Sequence, residues 1–337
     1  MHDFAYSTPQ DLAEAVSSLR QPDAEILAGG TELLNWMRLG ISAPAALVDI
    51  GRIENGFSAI ELRGGSLFIG ARATLSEIGD NPVVRESFRV LSEACLKAAS
   101  PQVRNRATLG GNVLQKTRCA YFRAGAPLPW GCNKREPGSG CAARNGLNER
   151  HAILGWTDDC VATHPSDPVV ALACLDAEIE LFGPNGSRRM LVTAFHLTQQ
   201  EAVEGGGGAA GLENLLAPGE LISAFHIPLR QGQRSAYVKV RERESFEYAL
   251  VSAAAALDLD DGTIRSARIA LGSVAQKPWR LPAAETALSG IRPSREAVLP
   301  PIRAALAEAR ALEHNAYKIE MAANAATRAV LIAGGAA

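Results

Sequence analysis

The chain has 337 residues, with 34 Lys plus Arg against 36 Asp plus Glu and a formal charge of −2. That length predicts two or three domains, and the charge balance excludes the basic signature of a nucleic-acid binder or of a protein held on anionic membranes. Apolar residues at 47% and charged residues at 21% are ordinary for a soluble globular protein, and no apolar run approaches the roughly 20 residues of a spanning helix, so no membrane insertion is expected.

The amino terminus, Met-His-Asp-Phe-Ala-Tyr, has neither a basic nor an apolar leader region and no twin-arginine pair. A chain without its own export signal, and a cytoplasmic location, are therefore expected. The first helix is predicted to open with Thr8 as N-cap, Pro9 at the first helical position and Asp11 at the third, with Leu12, Val16 and Leu19 as its apolar stripe through Arg20. Glu25–Ala28 reads as a strand, Glu32–Leu39 as a helix ended by Gly40, and Ala46–Ile50 as a second strand. This order predicts a parallel pair with a crossover helix. Further on, Ser66–Gly70 is strand-like, Thr74-Leu-Ser-Glu77 spells a capping box, and Pro82–Ala99 reads as one long helix.

Asp176–Phe182 followed by Pro184-Asn-Gly-Ser187 predicts a strand entering a hairpin, and Gly205–Gly208 a flexible surface loop. Near Arg230 the composition shifts. Ala236–Arg243 alternates with period two, and Val251–Leu259 and Ile264–Leu271 flank Asp260-Asp261-Gly262 as an antiparallel hairpin. The tail from Ser294 to Ile332 is helical almost throughout. The expected class is α+β: a small parallel βαβ unit, a mixed sheet with helices, then an antiparallel sheet with helices on one side.

Three segments carry chemistry. In Ala28-Gly29-Gly30-Thr31-Glu32-Leu33, paired glycines between strand and helix let backbone N–H groups approach a diphosphate, and the helix N-terminus favours its charge. Thr108-Leu-Gly110-Gly111-Asn112 reads as a second site of the same type. In His164-Pro-Ser166-Asp167-Pro, Asp167 suits a ribose or ribityl hydroxyl, although Ser-Asp-Pro equally suits a helix cap for Val169–Leu175.

Six cysteines complete the inventory. Cys95 and Cys174 lie in apolar, helix-like segments and read as buried core thiols. Cys119, Cys132, Cys141 and Cys160 are separated by 12, 8 and 18 residues, with no Cys-x-x-Cys pair. Such a set is open to an iron–sulfur cluster, a structural zinc or disulfides. All four lie between the Gly-Gly-Asn turn and Ser166-Asp167, so a redox centre there sits beside the dinucleotide.

Together with the strand carrying Lys239, these motifs resemble the FAD-binding medium subunit of the xanthine dehydrogenase and carbon monoxide dehydrogenase family, from Phe4 to about Ala329. The cysteine segment is similar to the flavin subunit of bacterial periplasmic aldehyde oxidoreductases, whose FAD domain holds an extra 4Fe-4S cluster. The cousin flavin subunit of 4-hydroxybenzoyl-CoA reductase also carries a cluster in this loop. The resemblance implies an FAD-binding domain over 1–228, with subdomains of about 1–55 and 56–228 and an iron–sulfur loop over 115–165, then a C-terminal α+β flavoprotein domain over 229–337.

It further implies that Glu25, Ile26, Leu27, Ala28, Gly29, Gly30, Thr31, Glu32 and Leu33 wrap the FAD pyrophosphate. Ala98, Ala99, Thr108, Gly111 and Asn112 make the second wall. Ser166 and Asp167 hold the ribityl or ribose part, Leu221 lines the cavity, and Lys239 reaches in from the C-terminal unit. Cys119, Cys132, Cys141 and Cys160 ligate the cluster. The implied function is electron transfer within an oxidoreductase complex acting on aldehydes, with no catalytic acid, base or nucleophile on this chain. Its implied partners are a small subunit with two 2Fe-2S clusters, a large molybdenum-cofactor subunit and an external electron acceptor, with periplasmic co-export beside a signal-bearing partner. Structural roles are expected for His151 and His164. The rival functions are a zinc-stabilised scaffold and a stand-alone FAD oxidoreductase.

Overall fold

The computed structural model describes residues 3–54, 56–204 and 211–336, and the Gly205–Gly208 run lies outside them. The first sheet contains β1 (Ala5–Ser7), β2 (Ala24–Leu27) and β3 (Ala46–Asp49), all parallel, in the order β1-β3-β2. Helix Leu33–Leu39 is the crossover between β2 and β3 and stops at Gly40, as read from the sequence. The first helix starts later than predicted, at Leu12, and its N-cap is Asp11, whose Oδ1 accepts the Glu14 N–H at 2.8 Å. A carboxylate there satisfies an orphan N–H and faces the positive end of the helix, so Thr8 and Pro9 stay outside it.

The second sheet holds β4 (Ile60–Arg63), β5 (Ser66–Gly70), β6 (Glu178–Gly183), β7 (Gly186–Leu191) and β8 (Leu221–Pro228), in the order β4-β5-β8-β6-β7. Every pair is antiparallel, not mixed. Both halves of the Thr74–Glu77 capping box form. In place of one helix over Pro82–Ala99 there are two, Pro82–Ser87 and Arg89–Lys97. Phe88 leaves helical backbone between them, at φ −132° and ψ 45°, with its ring buried in the core.

The third sheet, β9 (Arg234–Val240), β10 (Val251–Asp260), β11 (Thr263–Gly272) and β12 (Trp279–Arg280), is antiparallel in the order β12-β11-β10-β9. Strand β10 is apolar at successive positions because both faces are buried. Ala253, Ala255 and Leu257 join the core formed with helix Tyr317–Gly334, whereas Ala254 and Ala256 join the core beneath the other sheets. The unit's own helices therefore cover one face, as expected, and helices Arg89–Lys97 and Asp167–Cys174 cover the other. The helical tail is interrupted between Arg295–Ala305 and Tyr317–Gly334. Cys95 and Cys174 are fully buried core thiols, and burial pushes Cys174 up to about 12. Among the described residues no helix is long and apolar enough to cross a membrane.

Candidate functional site

The turn after β2 and the helices around it wall a cavity of about 950 Å³. Of the residues singled out in the sequence, Glu25, Ile26, Ala28 to Leu33, Ala98, Ala99, Thr108, Gly111, Asn112, Asp167 and Leu221 line it. Leu27, Ser166 and Lys239 do not. Leu27 points away from it, packing with Leu33, Met37 and Leu47. The backbone N–H groups of Gly29, Gly30 and Thr31 carry no hydrogen bond among the described residues, which leaves donors for an anion. Gly29 has to be glycine: a Cβ would stand 1.8 Å from the Arg106 carbonyl oxygen.

The Thr108–Asn112 turn is not a second N–H cradle. Its donors are already used, Leu109 N–H by Ala73 O and Gly110 N–H by Ala71 O, both at 2.9 Å, and Gly111 N–H by Thr108 Oγ1 at 3.2 Å. This turn is a packed wall that offers side chains. Ser166 is the helix cap, accepting the Val169 N–H at 3.2 Å, and its hydroxyl donates to Asn112 Oδ1 at 2.5 Å. It thereby fixes which end of the Asn112 amide is left for a ligand. Ala99 holds φ +44°, an uncommon conformation for a residue with a Cβ, at the cavity wall.

Asp167 is buried and its two oxygens accept from Lys239 Nζ at 2.7 Å and Tyr237 Oη at 2.6 Å. Lys239 thus reaches the cavity only through Asp167. Its side chain is 1% exposed, and its remaining bond goes to the Lys97 carbonyl at 3.0 Å. Burial pushes the Tyr237 phenol well up, so it remains a donor to the carboxylate. Asp167 keeps lone pairs for a hydroxyl donor, because a carboxylate accepts at about four positions.

Sequence reasoning missed a charged belt around the same cavity. Glu32 accepts from Arg118 at 2.8 and 3.0 Å and also pairs with Arg123, while Glu213 takes Lys134 at 2.6 Å and Lys116 at 3.4 Å. Arg118 lies 4.6 Å from the centre of the Tyr248 ring, which stands at the cavity wall. The arginines flank Cys119, so their signal was present in the sequence as Thr117-Arg-Cys-Ala-Tyr-Phe-Arg. Glu213 and Tyr248 lie on loops remote in the chain and had no local signal.

Cys119, Cys132, Cys141 and Cys160 line one smaller cavity next to the first. Cys132 and Cys141 face each other across an antiparallel bridge, and all six cysteines are free thiols, so the disulfide alternative is not realised. Each loop sulfur receives backbone N–H groups: Tyr121 and Phe122 to Cys119, Lys134 and Arg135 to Cys132, Ala143, Arg144 and Val161 to Cys141, and Ala162 to Cys160. A hydrogen bond from the Cys160 thiol holds Cys141 below the usual thiol range, and the same bond, with burial, pushes Cys160 up. Burial raises Cys119 to about 11. His151 Nε2 stands 3.2 Å from Cys119 Sγ and is kept neutral by burial, down to about 4.

Among the described residues no three His, Cys, Asp or Glu side chains are arranged to hold a single metal ion. Four thiols lining one cavity with backbone amides beside their sulfurs form a donor set whose chemistry fits a thiolate-held metal centre, an iron–sulfur cluster or a zinc.

Comparison with known proteins places the chain in a family. Residues 2–230 match the FAD-binding domain of molybdopterin dehydrogenases, and residues 235–333 match the C-terminal domain of the carbon monoxide dehydrogenase flavoprotein. The aldehyde oxidoreductase FAD-binding subunit PaoB of Escherichia coli is 43% identical over 292 residues, 86% of this chain and 87% of that protein. The carbon monoxide dehydrogenase medium chain of Hydrogenophaga pseudoflava is 28% identical over 335 residues, 97% of this chain and 96% of that protein. The crystal structure of carbon monoxide dehydrogenase from the same organism superimposes with a TM-score of 0.75 at 27% identity, over 99% of this chain and 98% of the matched chain. The chain belongs to the family of FAD-binding medium subunits of molybdenum hydroxylases.

Proposed function

We propose that this chain is the electron-transfer flavoprotein subunit of a molybdenum-containing aldehyde oxidoreductase. In this reading a large molybdenum-cofactor subunit oxidises the aldehyde, and a small subunit with two 2Fe-2S clusters relays the electrons. FAD, and a 4Fe-4S cluster that Cys119, Cys132, Cys141 and Cys160 would hold, would supply the carriers between those clusters and an external acceptor. The kinship with a subunit named for aldehyde oxidation supports the substrate class. Strand β8 ending one sheet and β9 opening the next supports a division into 1–228 and 229–337. The observation that carries the reading is the cavity with three unpartnered backbone N–H groups, joined by Glu32 to the arginines on either side of Cys119.

FAD supplies a carrier that exchanges electrons singly with iron–sulfur partners and singly or in pairs with an acceptor. This chain's residues bind and orient it. Gly29, Gly30 and Thr31 donate to the diphosphate; Asn112, set by Ser166, and Asp167, set by Lys239 and Tyr237, take the ribose and ribityl hydroxyls. Ala98, Ala99 and Leu221 form the apolar wall, and the Arg118–Tyr248 stack limits water at the mouth. None of these groups is asked to move a proton from a substrate, which suits a relay rather than a stand-alone oxidase.

The test is the isolated complex. Its visible spectrum should show flavin bands over a broad iron–sulfur absorption, with iron and sulfide in equal amounts on this chain. Cys132→Ser should remove that iron and leave FAD bound. Colourless protein carrying zinc would replace the redox reading with the scaffold.

A further inference from the structure

Lys134 lines the thiol cavity, and its partner Glu213 lines the large one. Its side chain is 5% exposed, and its Nζ lies 2.6 Å from Glu213 Oε1. Its backbone N–H donates to Cys132, and the residue lines the thiol cavity. It also lines a small buried chamber with Glu213, His164 and His196, while Glu213 reaches the wall of the large cavity. Burial keeps both histidines neutral, so Lys134 and Glu213 are the charged groups of that chamber.

Extended to this pair, the reading of the four cysteines as cluster ligands gives it a role in tuning. We infer that Lys134 is a potential-setting residue: a buried ammonium, ion-paired with Glu213 beside the thiol nest, that raises the reduction potential of the cluster. Reduction adds one electron to an already anionic centre, and a cation fixed beside it in a low-dielectric pocket stabilises the reduced form more than the oxidised form. Glu213 partly opposes that field, so the two residues act with opposite sign.

The experiment is a potentiometric titration of the intact complex followed by low-temperature electron paramagnetic resonance, with iron and FAD content measured on each sample. Lys134→Met should retain iron and FAD and shift the cluster midpoint to a more negative value. Lys134→Arg should restore it towards wild type, and Glu213→Gln should shift it the other way. Iron-replete Lys134→Met with an unshifted midpoint overturns the inference. Should Lys134→Met fail to load iron, the Glu213→Gln titration decides: a positive shift supports the inference and an unmoved midpoint overturns it. Wild-type complex without iron on this chain removes the cluster reading itself, and the inference with it, before any variant is made.

Discussion

At Gly29 a single hydrogen decides whether the turn after β2 can close. A methyl group there would enter the Arg106 carbonyl, whose backbone cannot retreat without moving the Thr108 wall. Gly29→Ala is therefore expected to weaken FAD binding more than tenfold while the C-terminal sheet stays folded, read by the ratio of flavin to protein absorbance after gel filtration. Asp167 acts at the same scale through charge. It neutralises a lysine whose side chain is 1% exposed, and deleting one partner of a buried pair costs about 3–5 kcal/mol. Asp167→Asn should lower stability by that order in urea denaturation. Lys239→Met in the same chain should recover part of the loss, since the stranded charge is then gone. Full additivity of the two substitutions would count against the pairing.

Glu32 shows what an element-scale contact does. It sits at the start of helix Leu33–Leu39, immediately after the Gly29–Thr31 turn, and binds Arg118 and Arg123 across more than 80 residues of chain. The turn and the cysteine segment are thereby one mechanical unit. Glu32→Gln removes the charge that two part-buried guanidiniums share, and faster amide exchange in the 115–125 stretch is expected, with a smaller loss of FAD affinity than in Gly29→Ala. Equal exchange in the two proteins would show that the clamp is not what holds the segment. The helix break at Phe88 belongs to this scale too. Periodicity ran unbroken from Pro82 to Ala99 in the sequence, yet the ring gains more by turning into the core than the chain gains from one continuous helix.

Across the whole molecule, stability should depend on pH through a pair of buried histidines at the Val113 carbonyl. His164 and His196 lie with ring centroids 4.4 Å apart, and both Nε2 atoms bond the Val113 carbonyl, at 3.1 and 2.9 Å. Burial lowers His196 to about 4 and His164 well below the usual imidazole range. The unfolded chain therefore binds more protons than the folded one between pH 6.5 and 4, and stability falls as pH drops through that window, by up to roughly 3 kcal/mol for His196. Melting temperatures measured from pH 7 to 4.5 should decline steeply, and His196→Gln should flatten the decline. An unchanged slope in that variant would exclude His196 as a source of the acid sensitivity.

Local chemistry was enough for much of this protein. The β2–turn–helix–β3 unit, the Thr74 capping box, the β10–β11 hairpin and the buried Cys95 and Cys174 follow from caps, turn residues and hydrophobic periodicity, which act over a few residues and are written in the chain. The two glycine turns were equally visible, but their difference was not. Whether an N–H is open to a ligand or spent on Ala71 and Ala73 depends on which strand end packs beside it. Glu32 with Arg118 and Arg123, Glu213 with Lys134, and Asp167 with Lys239 were settled only by folding, because opposite charges far apart in sequence choose partners when a shared cavity strips them of water.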